Sequence, residues 1–163
     1  MIWFIAFVSY FLDGIFSALL PTYGFFRPLF SLLSLLLMYP FCYYQKKNYF
    51  ILSFCLGMLY DFTYTNTPFF HGLLFLLFAF LIQLWNHYYR NTIWNLVCVS
   101  TLLILGYRIF GYLLLVFLQS YPFNGKAFLR ILGSSFLLNW LYIAIFFPFV
   151  LWLARKKHIH IMN

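Results

Sequence analysis

Acidic side chains are almost missing from this sequence, which has only two of them against ten lysines and arginines in 163 residues. All charged residues together make up 7% of the chain, whereas 66% of it is hydrophobic and its mean hydropathy is +0.93. So few polar groups cannot cover the surface of a soluble domain. The sequence therefore predicts a protein whose solvent is lipid.

Motifs for catalysis, metal binding and nucleic-acid binding are also missing. The three cysteines, Cys42, Cys55 and Cys98, are scattered through apolar segments and predict neither a disulfide framework nor a metal site. His71 stands beside Gly72 at the predicted start of a helix, where an interfacial or helix-terminal role is favoured over a ligand role. The basic side chains stand singly at helix ends instead of forming a stripe for nucleic acid. We therefore expect no enzyme activity, no cofactor and no nucleic-acid partner.

Long apolar segments, separated by short polar or proline-bearing breaks, fill most of the chain. Segments of roughly 16 to 28 residues are typical of membrane-spanning helices and too long for the strands of an outer-membrane barrel. The sequence therefore predicts a single all-α polytopic domain, residues 1–163, with six transmembrane helices. Because the second and third spans are short, a re-entrant hairpin at that place is the alternative. The predicted spans are 1–20, 29–45, 48–64, 69–86, 94–118 and 127–154.

The lysines and arginines predict the orientation of the chain in the membrane. Cytoplasmic connections carry an excess of these residues, and six spans place both termini on one side. The side with more of them includes the carboxyl-terminal tail, so both termini are expected to be cytoplasmic. All nine residues are candidate contacts for lipid headgroups or partner proteins. The cytoplasmic set is Lys46, Lys47, Arg90, Arg155, Lys156 and Lys157, and the opposite set is Arg27, Lys126 and Arg130.

Both acids, Asp13 and Asp61, lie inside predicted spans, where an unpaired charge costs at least a few kcal/mol. Counted at about 1.5 Å per residue from the cytoplasmic helix ends, they lie at the same depth as Arg108. We expect Arg108 to form an ion pair with Asp61, Asp13 or both, because a guanidinium can bind a carboxylate through two hydrogen bonds. The functional alternative is a substrate or proton site, since ionisable groups in transporter helices line pathways.

Gly57, Asp61 and Gly72 form a short motif in the third and fourth spans, and this motif resembles that of the bacterial rod shape-determining family MreD. That family has a glycine followed four residues later by an aspartate at the end of a helix, then a polar connection and a glycine that opens the next helix. Gly57, Asp61 and Gly72 match these positions. The resemblance also extends to the overall length and hydropathy of the chain.

The resemblance implies a six-helix, non-enzymatic protein of the bacterial cytoplasmic membrane. Its work would be to organise cell elongation and peptidoglycan synthesis as a scaffold. The implied partners are the bitopic protein MreC and, in the same assembly, the actin-like MreB, the polymerase RodA and a class B penicillin-binding protein. Membrane lipids are the remaining partner.

The MreD family is also similar in fold to the substrate-binding S components of energy-coupling-factor vitamin transporters, which supply the alternative function. An S component needs a pocket lined by specific polar groups near the outer ends of its helices. The sequence offers only a sparse set there: Asp61, Asn66, His71, Asn124 and Arg108.

Overall fold

The computed structural model describes residues 2–19, 28–42, 45–65, 69–88, 93–117, 124–133 and 136–156, which form helices and short connections without a strand. This confirms the all-α prediction. In chain order the helices are α1 (Ile2–Leu19), α2 (Phe30–Cys42), α3 (Lys46–Tyr60), α4 (Phe70–Tyr88), α5 (Ile93–Phe117), α6 (Gly125–Gly133) and α7 (Phe136–Lys156), with one turn of π-helix (Asp61–Thr65) continuing α3.

Helix α2 is the centre of the bundle. Every residue from 30 to 39 is buried, and the helix packs against α1, α3, α4, α5 and α7. Its sequence, FSLLSLLLMYPFC, is apolar on all sides apart from its serines, which suits a helix surrounded by other helices or by lipid. The lack of a polar face permits the central position of α2, and the packing of the five neighbouring helices decides it.

Three helices are long and apolar enough to cross a membrane, among the residues that the structure describes: 2–19 in α1, 95–113 in α5 and 136–153 in α7. Helices α2 and α4 contain shorter apolar segments. With 13 residues, α2 is about 20 Å long, which is less than the hydrocarbon thickness of a bilayer. Six complete crossings, and the re-entrant alternative at α2 and α3, stay predictions.

The last predicted span, 127–154, contains two helices. Helix α6 covers its start and α7 the remainder, and residues 134 and 135 between them lie outside the described residues. Helix α6 has nine residues and carries two basic side chains, Lys126 and Arg130, among apolar ones, whereas α7 is mostly apolar before its basic end.

Large apolar side chains cover the outside of the bundle. On α1, Trp3, Phe4, Phe7 and Phe11 each expose half or more of their surface. Such a surface is unstable in water but suited to lipid. The structure and the hydropathy therefore agree on a membrane protein.

Candidate functional site

Asp61 lies where α3 ends, and its carboxylate is 1% exposed. Its Oδ2 accepts hydrogen bonds from the backbone N–H groups of His71 and Gly72, at 2.9 and 3.1 Å. These two groups belong to the first turn of α4, where N–H groups have no partner within the helix. Asp61 therefore caps the N-terminus of the helix that follows it, where the positive end of the helix dipole stabilises a carboxylate.

The side chain of His71 extends this contact to a third helix. Its Nδ1 lies 2.7 Å from Asp61 Oδ1, and its Nε2 lies 2.9 Å from the hydroxyl of Tyr107 on α5. When the imidazole is neutral and donates from Nδ1 to the carboxylate, Nε2 accepts the Tyr107 proton. The hydrogen bonds that link Asp61, His71 and Tyr107 thus connect α3, α4 and α5. The helix-terminal role expected for His71 agrees with this geometry.

Gly57 allows α3 to approach α4 closely enough for these bonds. A Cβ atom at this position would lie 2.7 Å from the Cα of Gly72 and from the carbonyl carbon of His71. At Gly72 the space is also tight, since a Cβ atom added there would lie 3.2 Å from Phe54 Cε2. The spacing of Gly57, Asp61 and Gly72 in the sequence thus has a physical reason, since the two glycines let the backbones meet and the aspartate binds the N–H groups exposed there.

Asp13 performs the same task for α2. It is 2% exposed, and its two carboxylate oxygens each lie 2.7 Å from a backbone nitrogen, those of Phe30 and Ser31. The neighbouring N–H of Leu29 donates to Oδ1 of Asn139 on α7, at 2.8 Å. Side chains from α1 and α7 therefore satisfy three consecutive N–H groups at the start of the central helix.

Both acids of the chain are thus compensated by helix N-termini. In hydrocarbon an unsatisfied N–H group costs several kcal/mol, and a helix end holds four of them. A buried carboxylate placed at such an end removes this cost for the N–H groups that it binds and is itself stabilised by the dipole. Sequence reasoning recognised that the acids need compensation but did not identify this source. The sequence pattern that could have indicated this source is an aspartate inside one apolar span with the N-terminus of the next span soon after it.

Arg108 lies on α5 next to Tyr107, with its guanidinium carbon 5.8 Å from the centre of the Tyr107 ring. It is partly buried. The Asp61 carboxylate has a close contact with the His71 ring, whose Nδ1 lies 2.7 Å from Oδ1. A pair between Arg108 and Asp13 or Asp61 stays a prediction.

Substitution of Arg108 by leucine tests that pair. If the guanidinium neutralises either carboxylate, its removal leaves a buried charge without its partner, and we expect a loss of about 3–5 kcal/mol in unfolding free energy. The measurement is the thermal unfolding midpoint in a mild detergent, with Arg130→Leu as the control, because Arg130 is exposed on α6. A midpoint equal to that of the parent would remove the ion pair and leave the helix N-termini as the compensation.

The basic residues predicted to contact lipid or partners are only partly described. Lys46, Lys47, Lys126 and Arg130 are exposed at helix ends or on α6. Arg27, Arg90 and Lys157 lie outside the described residues, as do the side chains of Arg155 and Lys156.

The fold and the two capped helix N-termini define a class: a small helical membrane protein, apolar on its outside, whose buried carboxylates stabilise the packing of the bundle. Within that class the family is shown by comparison, because the family model of the rod shape-determining protein MreD matches residues 1–157. The chain belongs to the MreD family, whose role lies in rod shape determination. Comparison with curated proteins and with solved structures gave no match.

Proposed function

We propose that this protein is a non-enzymatic scaffold of the cell-elongation machinery in the bacterial cytoplasmic membrane. It binds an MreC-like bitopic protein and helps to organise peptidoglycan synthesis, in an assembly with MreB, RodA and a class B penicillin-binding protein. The observation that carries the proposal is the family match over residues 1–157 of the 163-residue chain. Both termini are cytoplasmic in this proposal.

The outer face of α1 supports a role in binding another transmembrane helix. Phe4, Phe7, Phe11 and Ile15 are spaced by three or four residues and therefore lie on one face of the helix. Each of the four side chains is at least half exposed. Close packing of large, rigid side chains contributes to association between helices in lipid. This stripe is one face on which a bitopic partner would pack.

Site-specific photo-crosslinking in the native membrane tests the proposal. A photoreactive amino acid is introduced at one exposed position on each of three helices: Phe7 on α1, Leu77 on α4 and Leu141 on α7. We expect an MreC-like protein to be captured from one or two of these faces and not equally from all three. The unequal yield serves as the internal control, because random collisions in the membrane would label all three positions alike.

Two results would contradict the scaffold. The first is the absence of any MreC-like product at every position in cells that contain that protein. The second is capture of ATP-binding subunits and a coupling protein, which would identify an S component.

A cavity between α4 and α5 does not have the polar wall that the vitamin site of an S component needs. It has a volume of about 500 Å³, which is large enough for a small ligand. Vitamin sites need convergent polar groups that fix the ligand. This cavity has an almost wholly apolar wall, formed by Phe78, Leu81, Ile82, Leu84, Trp85, Val99, Leu102, Leu103 and Gly106, and the Trp85 ring nitrogen already donates to Asn95.

A further inference from the structure

In the sequence, helix α6 lies between α5 and α7, two helices that are long enough to cross the membrane. With nine residues, α6 is about 14 Å long and cannot cross the hydrocarbon itself. A short helix between two spanning helices lies at a membrane face. Its sequence, GKAFLRILG, has the composition of a helix at the boundary between headgroups and acyl chains.

Contacts with α5 hold α6 in place. The Tyr112 hydroxyl accepts a hydrogen bond from the backbone N–H of Asn124 at 2.8 Å and lies 3.2 Å from its carbonyl oxygen. The side chain of Asn124 accepts the N–H of Lys126 at 3.1 Å, which caps the helix. The Phe128 ring packs against Tyr112, with 5.0 Å between the ring centres. One side of α6 is therefore fixed against the bundle, and the opposite side is left outward.

The outward side carries two cations. Lys126 and Arg130 are four residues apart, so they are neighbours on one face, and both are exposed. Leu129, beside them, is 68% exposed. The only acidic side chains in the chain, Asp13 and Asp61, are buried at the N-termini of α2 and α4. The protein itself therefore offers no acidic side chain to these two cations.

We propose that α6 is an interfacial helix that binds anionic phospholipid headgroups. Lys126 and Arg130 contact the lipid phosphate, and Leu129 lies against the upper part of the acyl chains. Charge complementarity carries this assignment, since the chain has a net charge of +8 and anionic headgroups attract lysine and arginine side chains at a membrane surface. The inference is independent of the scaffold proposed above, because it concerns lipid alone.

The test places a fluorescent reporter on the helix. Leu129→Trp is prepared in the full-length protein and reconstituted into phosphatidylcholine vesicles containing brominated phosphatidylglycerol or brominated phosphatidylcholine. The parent protein has five tryptophans of its own. The quenching of the new tryptophan is therefore obtained by subtracting the quenching of the parent protein from that of the variant. We expect stronger quenching by phosphatidylglycerol, and the preference should weaken at high salt.

The double variant Lys126→Gln/Arg130→Gln, made in the reporter protein, should lose this preference. Each basic residue near an anionic surface raises association by about fivefold, so the loss is measurable. The matched control is Lys46→Gln/Lys47→Gln, which removes two exposed cations from the start of α3 and should leave quenching at residue 129 unchanged. Equal quenching of the reporter by the two lipids overturns the proposal, and so does a preference that survives in Lys126→Gln/Arg130→Gln. Absence of quenching by either lipid overturns it as well, because α6 would then lie away from the membrane.

Discussion

Replacing Asp61 by leucine is expected to lower the free energy of unfolding by about 3 kcal/mol or more. The change removes the acceptor of two backbone N–H groups at the start of α4 and of the His71 ring. Each buried donor left without a partner costs about 1–3 kcal/mol. The loss is measured as the fall in the thermal unfolding midpoint of the purified protein in mild detergent.

Asp61→Asn is the matched variant that separates capping from ion pairing. An asparagine oxygen can still accept the N–H groups of His71 and Gly72, while its NH₂ group donates to His71 Nδ1 in the other tautomer. We therefore expect Asp61→Asn to retain more than half of the stability lost in Asp61→Leu. If both variants lose the same amount, the negative charge itself is what matters, and an ion pair such as that with Arg108 would replace capping as the main contribution.

Gly57→Ala is expected to destabilise the protein by about 1–3 kcal/mol, towards the upper end of that range. The added methyl group would meet the backbone of His71 and Gly72, which cannot turn aside as a side chain can. Relief of this overlap moves the first turn of α4 away from α3 and lengthens the hydrogen bonds to Asp61. The thermal unfolding midpoint in detergent reports the loss.

Gly111→Ala is the control for helix propensity, because a Cβ at Gly111 meets nothing within 4 Å. Alanine is the better helix former by about 1 kcal/mol, so this variant should be neutral or slightly more stable. The combination of Gly57→Ala with Asp61→Asn should cost less than the sum of the single changes, since both act on one contact. A destabilisation of equal size at Gly57 and Gly111 would refute the close-approach explanation.

The two aspartates use one physical solution at two places. Asp13 on α1 caps α2, and Asp61 at the end of α3 caps α4. A buried acid is unfavourable in lipid, and so are the unsatisfied N–H groups of a buried helix N-terminus. When the two meet, each stabilises the other. A protein with only two acids has placed both where they join consecutive helices.

Some of the site could be predicted from the sequence, and some could not. Asp13 and Asp61 were recognisable because a carboxylate inside an apolar segment always needs compensation. Tyr107 and Asn139 were not, because each is an ordinary polar residue in its own helix and gains its role only from a neighbour. The bonds from Asp13 join residues 17 and 18 positions apart, and that between His71 and Tyr107 joins residues 36 positions apart.

The sequence by itself determined the helical membrane class, because hydropathy is a local property and lipid requires each helix to satisfy its own backbone. It also determined that two buried acids need partners, and the spacing of Gly57, Asp61 and Gly72 indicated the family. Only the tertiary structure decided that helix N-termini are those partners and that α2 lies at the centre. The reason is physical: which polar groups meet depends on how separate helices pack, and the hydropathy of each helix does not specify that packing.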